Sequence, residues 1–443
     1  MFEFLPPQVR LHGAPKLRAK DAARLRSDFE KFRRGLPRPL EKYVLETFGI
    51  ELGTFYGDVK LKNPFGKASG QLSMTRHQVE RDAHAGLGFV VLKTVIAQDS
   101  SGEQSMREWA IPETRMQLER IRGRGGKEGW TVTWIGRGWF ETFDAYRQLF
   151  DEALTLGKAS DMLVAPSVKY HLPTPEENSW KTAEYTFTTK KLLEIWKQHH
   201  PASPMPIEKD FSPTLAGSSR AAVEAKIIEW LRAVPGLIRR AAPGELCVGI
   251  KVFNALFEDN FQLQMLETLH ALEPNGNRSD FLIYANRLFD RVRSFGGKTG
   301  VAYGGPDLSD RNLAVLERFL AARSKSKGQS KDPAEPRLLP FSATGDIHSG
   351  RIATEYLLRG ASSFQVYTLF QLADREFTME VGSKTEKALH TLLFHPEEGF
   401  LAWVLDLRNR FGLKTEASVE DMANWFRNNW SAVTESLRVR TGQ

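Results

Sequence analysis

Two short stretches place small or hydroxyl-bearing residues where an anion could be held: Thr344-Gly345-Asp346 and Tyr367-Thr368. The run 338–343 is apolar and ends in the first of them. Helical spacing follows, with Ile352, Tyr356 and Leu357 recurring at i, i+4 and i+5. Gly360 stops that helix, and 363–367 reads as a second short strand. A strand, glycine turn, helix and parallel strand bring two strand ends side by side. The backbone N–H groups at Gly345-Asp346 and Tyr367-Thr368 then converge, and a phosphate is the group that such donors suit. A lone glycine needs no ligand to explain it. The turn, the helix and the second small-residue turn occurring together favour the phosphate site.

Three other stretches could carry chemistry. Asn63-Pro64-Phe65-Gly66-Lys67-Ala68-Ser69-Gly70 closes a strand with small residues, which lets a flat ligand approach the backbone. Lys251, in Gly249-Ile250-Lys251-Val252-Phe253, is flanked by apolar residues on a central strand. Its ammonium is costly to bury unless anions meet it. It could stabilise a developing negative charge or, as a desolvated amine, form a Schiff base. Lys169, Tyr170 and His171 can each transfer a proton in a tuned environment, and His171 titrates nearest neutrality. The pair His199-His200 falls at an expected helix end. It suits the helix dipole better than a metal, and no metal site is expected.

The elements that must position these residues alternate. Strands are expected at 64–69, 89–95, 130–135, 162–166, 247–253, 281–285, 338–343 and 363–367. Helical patterns stand at 76–85, 143–156, 221–240, 261–272 and 312–322. Such alternation implies a parallel sheet, and eight units imply an α/β fold closed as a (β/α)8 TIM barrel. In that fold the position after the seventh and eighth strands is a frequent phosphate site. The run 205–211 is surplus. It is placed, with a helix over 189–198, in an insertion between the fourth and fifth strands, with the fifth strand itself as its alternative. The segment 321–337, rich in Ser, Lys and Pro, reads as an exposed loop.

The barrel is expected over 49–375, between a basic helical extension over 1–48 and a helical extension over 376–443. A hairpin over 48–62 is expected to plug the bottom of the barrel. Leu25, Phe29 and Phe32 give the N-terminal helix an apolar side. It suits packing on the main domain, with peripheral membrane contact as the alternative. The C-terminal helices read as a cap or an oligomer surface.

Composition narrows the classes. The chain has 443 residues, 41% hydrophobic and 26% charged, with a net charge of +7. That is ordinary globular composition, and the basic balance selects no nucleic acid. The single cysteine, Cys247, permits no internal disulfide and no Cys-ligated iron–sulfur cluster within one chain. No apolar run is long enough to span a membrane as a helix, and no signal core opens the chain. A cytoplasmic setting is expected.

The phosphate-site stretch resembles the last βαβ unit of the dihydroorotate dehydrogenases, which are FMN-containing barrels. There a glycine pair and a Tyr-Ser or Tyr-Thr pair hold the flavin phosphate. Gly345, Asp346, Tyr367 and Thr368 occupy the matching positions. Asp346 replaces the second glycine, so its carboxylate must point away. The segment 63–70 resembles the family's Asn-Pro-x-Gly-x-Ala-Ala-Gly, which places Ala68, Ser69 and Gly70 against the flavin. Lys93-Thr94-Val95 resembles Gly-Thr-Val-Thr. Thr94 then contacts FMN, and Lys93 replaces the glycine. Lys251 matches a lysine that contacts the isoalloxazine ring, and Gly305 a turn near the cofactor. Asn286 matches an asparagine that contacts substrate.

The departures cluster on the substrate side. The family's fourth strand ends in Asn-x-Ser-x-Pro-Asn or carries a catalytic cysteine. Here 162–166 continues as Ser167-Val168-Lys169-Tyr170-His171, which puts Lys169 or, shifted by two, Ser167 at the catalytic base. His171 is the third candidate. The family's lysine after the first strand appears as Ser73.

The resemblance implies an FMN-dependent oxidoreductase of CH–CH donors, a role in pyrimidine biosynthesis, a small-molecule substrate and an unidentified electron acceptor. Two rivals stand beside it. One is a lysine-dependent aldolase or lyase on a phosphorylated substrate, with Lys251 as nucleophile. The other is a non-catalytic flavin-binding barrel.

Overall fold

The structure is a computed structural model describing residues 6–110, 115–135, 138–211, 224–254, 258–271, 276–295, 298–329 and 338–438. Two helices come first, α1 (Ala19–Lys31) and α2 (Leu40–Phe48), and Gly49 ends the second in a left-handed conformation at φ 60°. The antiparallel hairpin β1 (Thr54–Tyr56) and β2 (Val59–Leu61) follows. Barrel strand one is β3 (Phe65–Lys67), with α3 (Arg76–Ala85) after it. Strand two is interrupted, as β4 (Phe89–Val91) and β5 (Val95–Ile96). A separate hairpin, β6 (Arg115–Arg122) and β7 (Glu128–Ile135), leads to α4 (Phe143–Ser160). Strand three is split by Pro166, which has no N–H to give, into β8 (Leu163–Ala165) and β9 (Ser167–Lys169).

The chain continues through α5 (Thr182–His199), strand four β10 (Met205–Asp210), α6 (Glu224–Ala241), strand five β11 (Leu246–Phe253) and α7 (Asp259–Ala271). Strand six is β12 (Phe281–Asn286). The hairpin β13 (Leu288–Phe295) and β14 (Lys298–Tyr303) then precedes α8 (Pro306–Gln329). Strand seven β15 (Phe341–Thr344), α9 (Gly350–Leu358) and strand eight β16 (Ala361–Val366) complete the series. Helices α10 (Lys384–Phe394), α11 (Phe400–Phe411), α12 (Val419–Asn428) and α13 (Trp430–Leu437) end it.

The sheet closes. β16 pairs in parallel with β3, β3 with β4 and β4 with β8, while β5 pairs with β9 and β9 with β10. From β10 the order runs β11, β12, β15, β16. With the two interrupted strands each counted once, this is the (β/α)8 barrel.

Three expectations need correction. Residues 130–135 form β7, which pairs only with β6, outside the barrel. Residues 205–211 are no insertion, because β10 is the fourth barrel strand. Most of 321–329 is not loop, since α8 runs on to Gln329, and 330–337 lies outside the described residues.

The hairpin β1–β2 lies at the N-terminal end of the barrel. Tyr56 reaches inside, 4.9 Å from the Phe89 ring and 4.7 Å from the Phe281 ring, centre to centre. Gly66 and Gly249 make room for those rings. A Cβ on either would lie 2.3 Å from Phe89 or Phe281 respectively. The apolar side of the N-terminal helix faces the protein: Leu25, Phe29 and Phe32 are buried, and Phe29 stacks on His390 of α10 at 4.4 Å. Next to α10, Phe400 packs between Phe65 and Phe364, so α11 covers the outer face of strands eight and one. Among the described residues, no helix is long and apolar enough to cross a membrane.

Candidate active site at the C-terminal ends of the strands

Above the aromatic layer the barrel interior turns polar. Glu208 on β10 is fully buried and is the hub. Its Oε2 accepts from Tyr56 OH at 2.9 Å and from Gln365 Nε2 at 2.7 Å. Its Oε1 accepts from Lys251 Nζ at 3.3 Å and from Ser167 Oγ at 3.4 Å. Lys251 also donates to Gln365 Oε1 at 2.9 Å. Thus Lys251 is no surface lysine. It is 3% exposed, and a carboxylate and an amide oxygen answer its charge. From Ser167 a row of hydroxyls leads outward: Thr94 Oγ1 at 3.0 Å, then Ser69 Oγ at 2.9 Å from Thr94. Ser69 is partly exposed, so the row joins the buried carboxylate to the mouth. Side chains alternate along a strand, so Ser167 and Lys169 face the same way, as do Glu208 and Asp210.

The rim of the mouth is different. Lys93 follows β4, its N–H bonded to Ser73 O at 3.0 Å, and the residue is 3% exposed. Its ammonium makes no hydrogen bond or ion pair among the described residues. Burial pushes it down to about 7. Asp210 opposes that fall, while Lys169 and Arg287 add to it. Asp210 Oδ1 is buried without a partner among the described residues. Lys209, fully buried, donates to Tyr170 O at 3.3 Å and Asp210 O at 3.2 Å. Desolvation holds it well below the usual lysine range. Lys169 places its ammonium 4.1 Å from the centre of the Trp109 ring.

The two loop tips are neighbours, because β15 and β16 pair up to Thr344 and Gln365. Gly345 adopts φ 108°, where an L side chain is strained. A Cβ there would lie 2.6 Å from Asn312 Nδ2. Asn312, which no sequence signal singled out, has its Nδ2 3.0 Å from Ala285 O, Thr344 O and Tyr356 OH, sharing its two hydrogens among them and tying α8 to β12 and β15. The Asp346 N–H has no acceptor among the described residues, and the Thr368 N–H opens a 3-10 turn. The Asp346 carboxylate bonds Ser309 Oγ at 3.0 Å and lies 3.3 Å from His348 Nδ1. Burial lowers the His348 pKa, but Asp346 outweighs it and raises the imidazole to about 8. Tyr367 turns its ring over Gly70, where a Cβ would lie 2.2 Å from it. Its hydroxyl bonds Gln71 N at 3.1 Å and Gln71 Oε1 at 3.0 Å.

The other expected residues spread around this mouth. Ala68 donates its N–H to Val366 O at 3.0 Å. Asn286 ends β12, and its carbonyl accepts from Asn254 N at 3.1 Å. Gly305 lies under the β6–β7 hairpin, where a Cβ would be 2.8 Å from Ile121, and Gly304 N–H is taken by Thr131 Oγ1 at 2.8 Å. His171 is buried beyond β9. Its Nδ1 accepts from Lys181 N at 3.3 Å, and its Nε2 lies 3.5 Å from Glu177. His199 closes α5 and bonds Asp151 at 2.7 Å.

The corrected strand count moves one expectation. The fourth barrel strand is β10, and from its end the chain reads Lys209-Asp210-Phe211-Ser212-Pro213. Ser167 and Lys169 instead end strand three. Ser212 lies outside the described residues. No sequence signal singles out Glu208, because its run is surplus to a count of eight strands that takes in 130–135.

No family model and no curated protein matches the chain. Among solved structures it is similar to the crystal structure of DHODH from Eimeria tenella in complex with ferulenol. The TM-score is 0.52 at 14% sequence identity, over 92% of this chain and 96% of that one. At that identity the likeness is one of fold, and it extends over nearly the whole of both chains.

Proposed function

We propose that the chain is an FMN-dependent oxidoreductase of CH–CH donors, similar to the dihydroorotate dehydrogenases. The observation that carries this reading is the adjacency of the two tips, where the N–H groups of Asp346 and Thr368 have no acceptor among the described residues. The residues suit the anionic tail of FMN. The one carboxylate at the tips is matched by Ser309 and by His348, whose imidazole it keeps protonated near neutrality. Gly345, Asp346, Tyr367 and Thr368 would hold the phosphate. Ala68, Ser69, Gly70, Thr94, Lys251 and Gly305 would line the rest, with Asn286 toward the substrate. Bound there, the flavin supplies a hydride acceptor.

The chain's own part is the proton. Removing a hydride from one carbon requires a base for the acidic hydrogen on its neighbour. Ser69, Thr94 and Ser167 form the row that passes such a proton inward, and Glu208 is the carboxylate at its end. Lys251 holds Glu208 in place and puts a fixed positive charge in the barrel. Lys169 and His171 remain alternative bases on the same strand end. The lysine-dependent rival loses ground at Lys251. There the amine nitrogen is engaged by Glu208 and Gln365 inside the barrel, so it is not poised to attack a carbonyl carbon.

The visible absorption spectrum of the purified protein tests the proposal, with mass spectrometry of what heat releases. A flavin spectrum, FMN in the supernatant and bleaching by dihydroorotate are expected. A flavin that no donor reduces would leave the non-catalytic barrel. A protein that stays colourless after incubation with FMN ends the reading.

A further inference from the structure

Lys93, just after β4, and Lys251, in β11, are both buried, yet among the described residues only Lys251 has a hydrogen-bond or ion-pair partner. Lys251 is met by Glu208 and Gln365. Lys93 is as deeply buried, without a hydrogen bond or ion pair among the described residues, and Asp210 beside it has an unpartnered Oδ1. Both groups are wasted on the protein itself, since a buried polar atom without a partner costs free energy. An amine in such a place is a nucleophile when neighbouring cations keep it deprotonated. Lys169 and Arg287 act in that direction on Lys93, and Asp210 acts against them. Asp210, Lys169 and Arg287 are the charged groups that act on it among the described residues.

We infer that Lys93 is a carbonyl-binding amine that forms an imine with a 2-oxo acid at the mouth of the barrel. The Lys93 nitrogen adds its lone pair to the ketone carbon to give a carbinolamine. The former carbonyl oxygen then leaves as water, taking one proton from the nitrogen and one by way of Asp210. No oxidant or reductant is consumed. Lys169 and Arg287 supply positive potential for the carboxylate of the ligand. The imine acidifies the adjacent C–H, and Asp210 is the carboxylate in range to take that proton.

Burial and the two neighbouring cations favour the free amine of Lys93 near neutral pH, where an ordinary lysine is almost wholly protonated. The inference does not depend on the flavin reading, because trapping is read on protein with or without colour. The test is incubation of the full chain with pyruvate at pH 7, reduction with borohydride and peptide mapping by mass spectrometry. One reduced pyruvate adduct on the Lys93 peptide, more than tenfold above any other lysine, is expected. Lys93→Arg keeps the charge and removes the adduct. Labelling that falls on Lys251 or Lys169, spreads over surface lysines or is absent would overturn the assignment. Loss of label in Lys93→Arg counts only if its circular dichroism spectrum matches the parent's. The wild-type map alone decides otherwise.

Discussion

Lys251 and Lys93 stand at the ends of different strands of one barrel, equally buried, and their surroundings are opposite. Around Lys251 each polar atom has an answer: Glu208 is shared by Tyr56, Gln365, Ser167 and the ammonium itself. Around Lys93 the nearby carboxylate oxygen and the ammonium remain apart. In the first arrangement the protein itself supplies the partners of the buried charges. The second has the form of a site whose missing partner comes from outside. Burial alone therefore says nothing about a lysine's role; the completeness of its bonding does.

The contrast can be broken most forcefully at Glu208. Glu208→Ala strands Lys251 in the core, and a loss of about 3–5 kcal/mol is expected in urea unfolding. Lys93→Met has no such partner to strand. At neutral pH it is expected to be neutral or stabilising, within about 2 kcal/mol.

The pH dependence separates the two lysines further. Lys93 has a lower pKa folded than unfolded, so between about pH 7 and 10.5 the unfolded chain binds more protons. Stability contributed by this group therefore rises with pH across that window, by up to a few kcal/mol, in roughly the range such shifts allow. Denaturation midpoints at stepped pH should show the rise in the wild type and a smaller one in Lys93→Met.

A milder cut is Tyr56→Phe. It removes one of the hydrogen bonds on Glu208 and should cost about 1 kcal/mol in the same assay. The smallest effect is local. In Asp346→Asn the His348 imidazole, held near 8 by the carboxylate, should fall back toward about 6.5 in an NMR titration.

What the sequence revealed follows from the same physics. The tips at Gly345 and Tyr367 were legible because a glycine forced into positive φ interrupts the pattern between an apolar strand and a capped helix. The fourth strand reads as surplus because 130–135, a hairpin strand, already fills one of the eight places, and nothing local in 205–211 marks it as the barrel strand instead. Conversely, Trp130-Thr131-Val132-Thr133 is rich in strand formers and was counted into the barrel, but strand propensity cannot tell a hairpin from a barrel strand. The segment 321–329 has Ser and Lys in a loop-like mixture, yet no proline interrupts it and α8 simply continues. Pairing across strands, which decides that Lys251 is answered and Lys93 is not, joins residues far apart in the chain and leaves no local mark.

The most direct measurement of the central claim is the affinity of the protein for FMN against riboflavin, by quenching of flavin fluorescence. The two ligands differ in the phosphate that the tips at Asp346 and Thr368 are proposed to hold. Charge-assisted hydrogen bonds of about 1.5–3 kcal/mol each predict that FMN binds at least tenfold more tightly. Equal affinities, or no binding of either, would contradict the account.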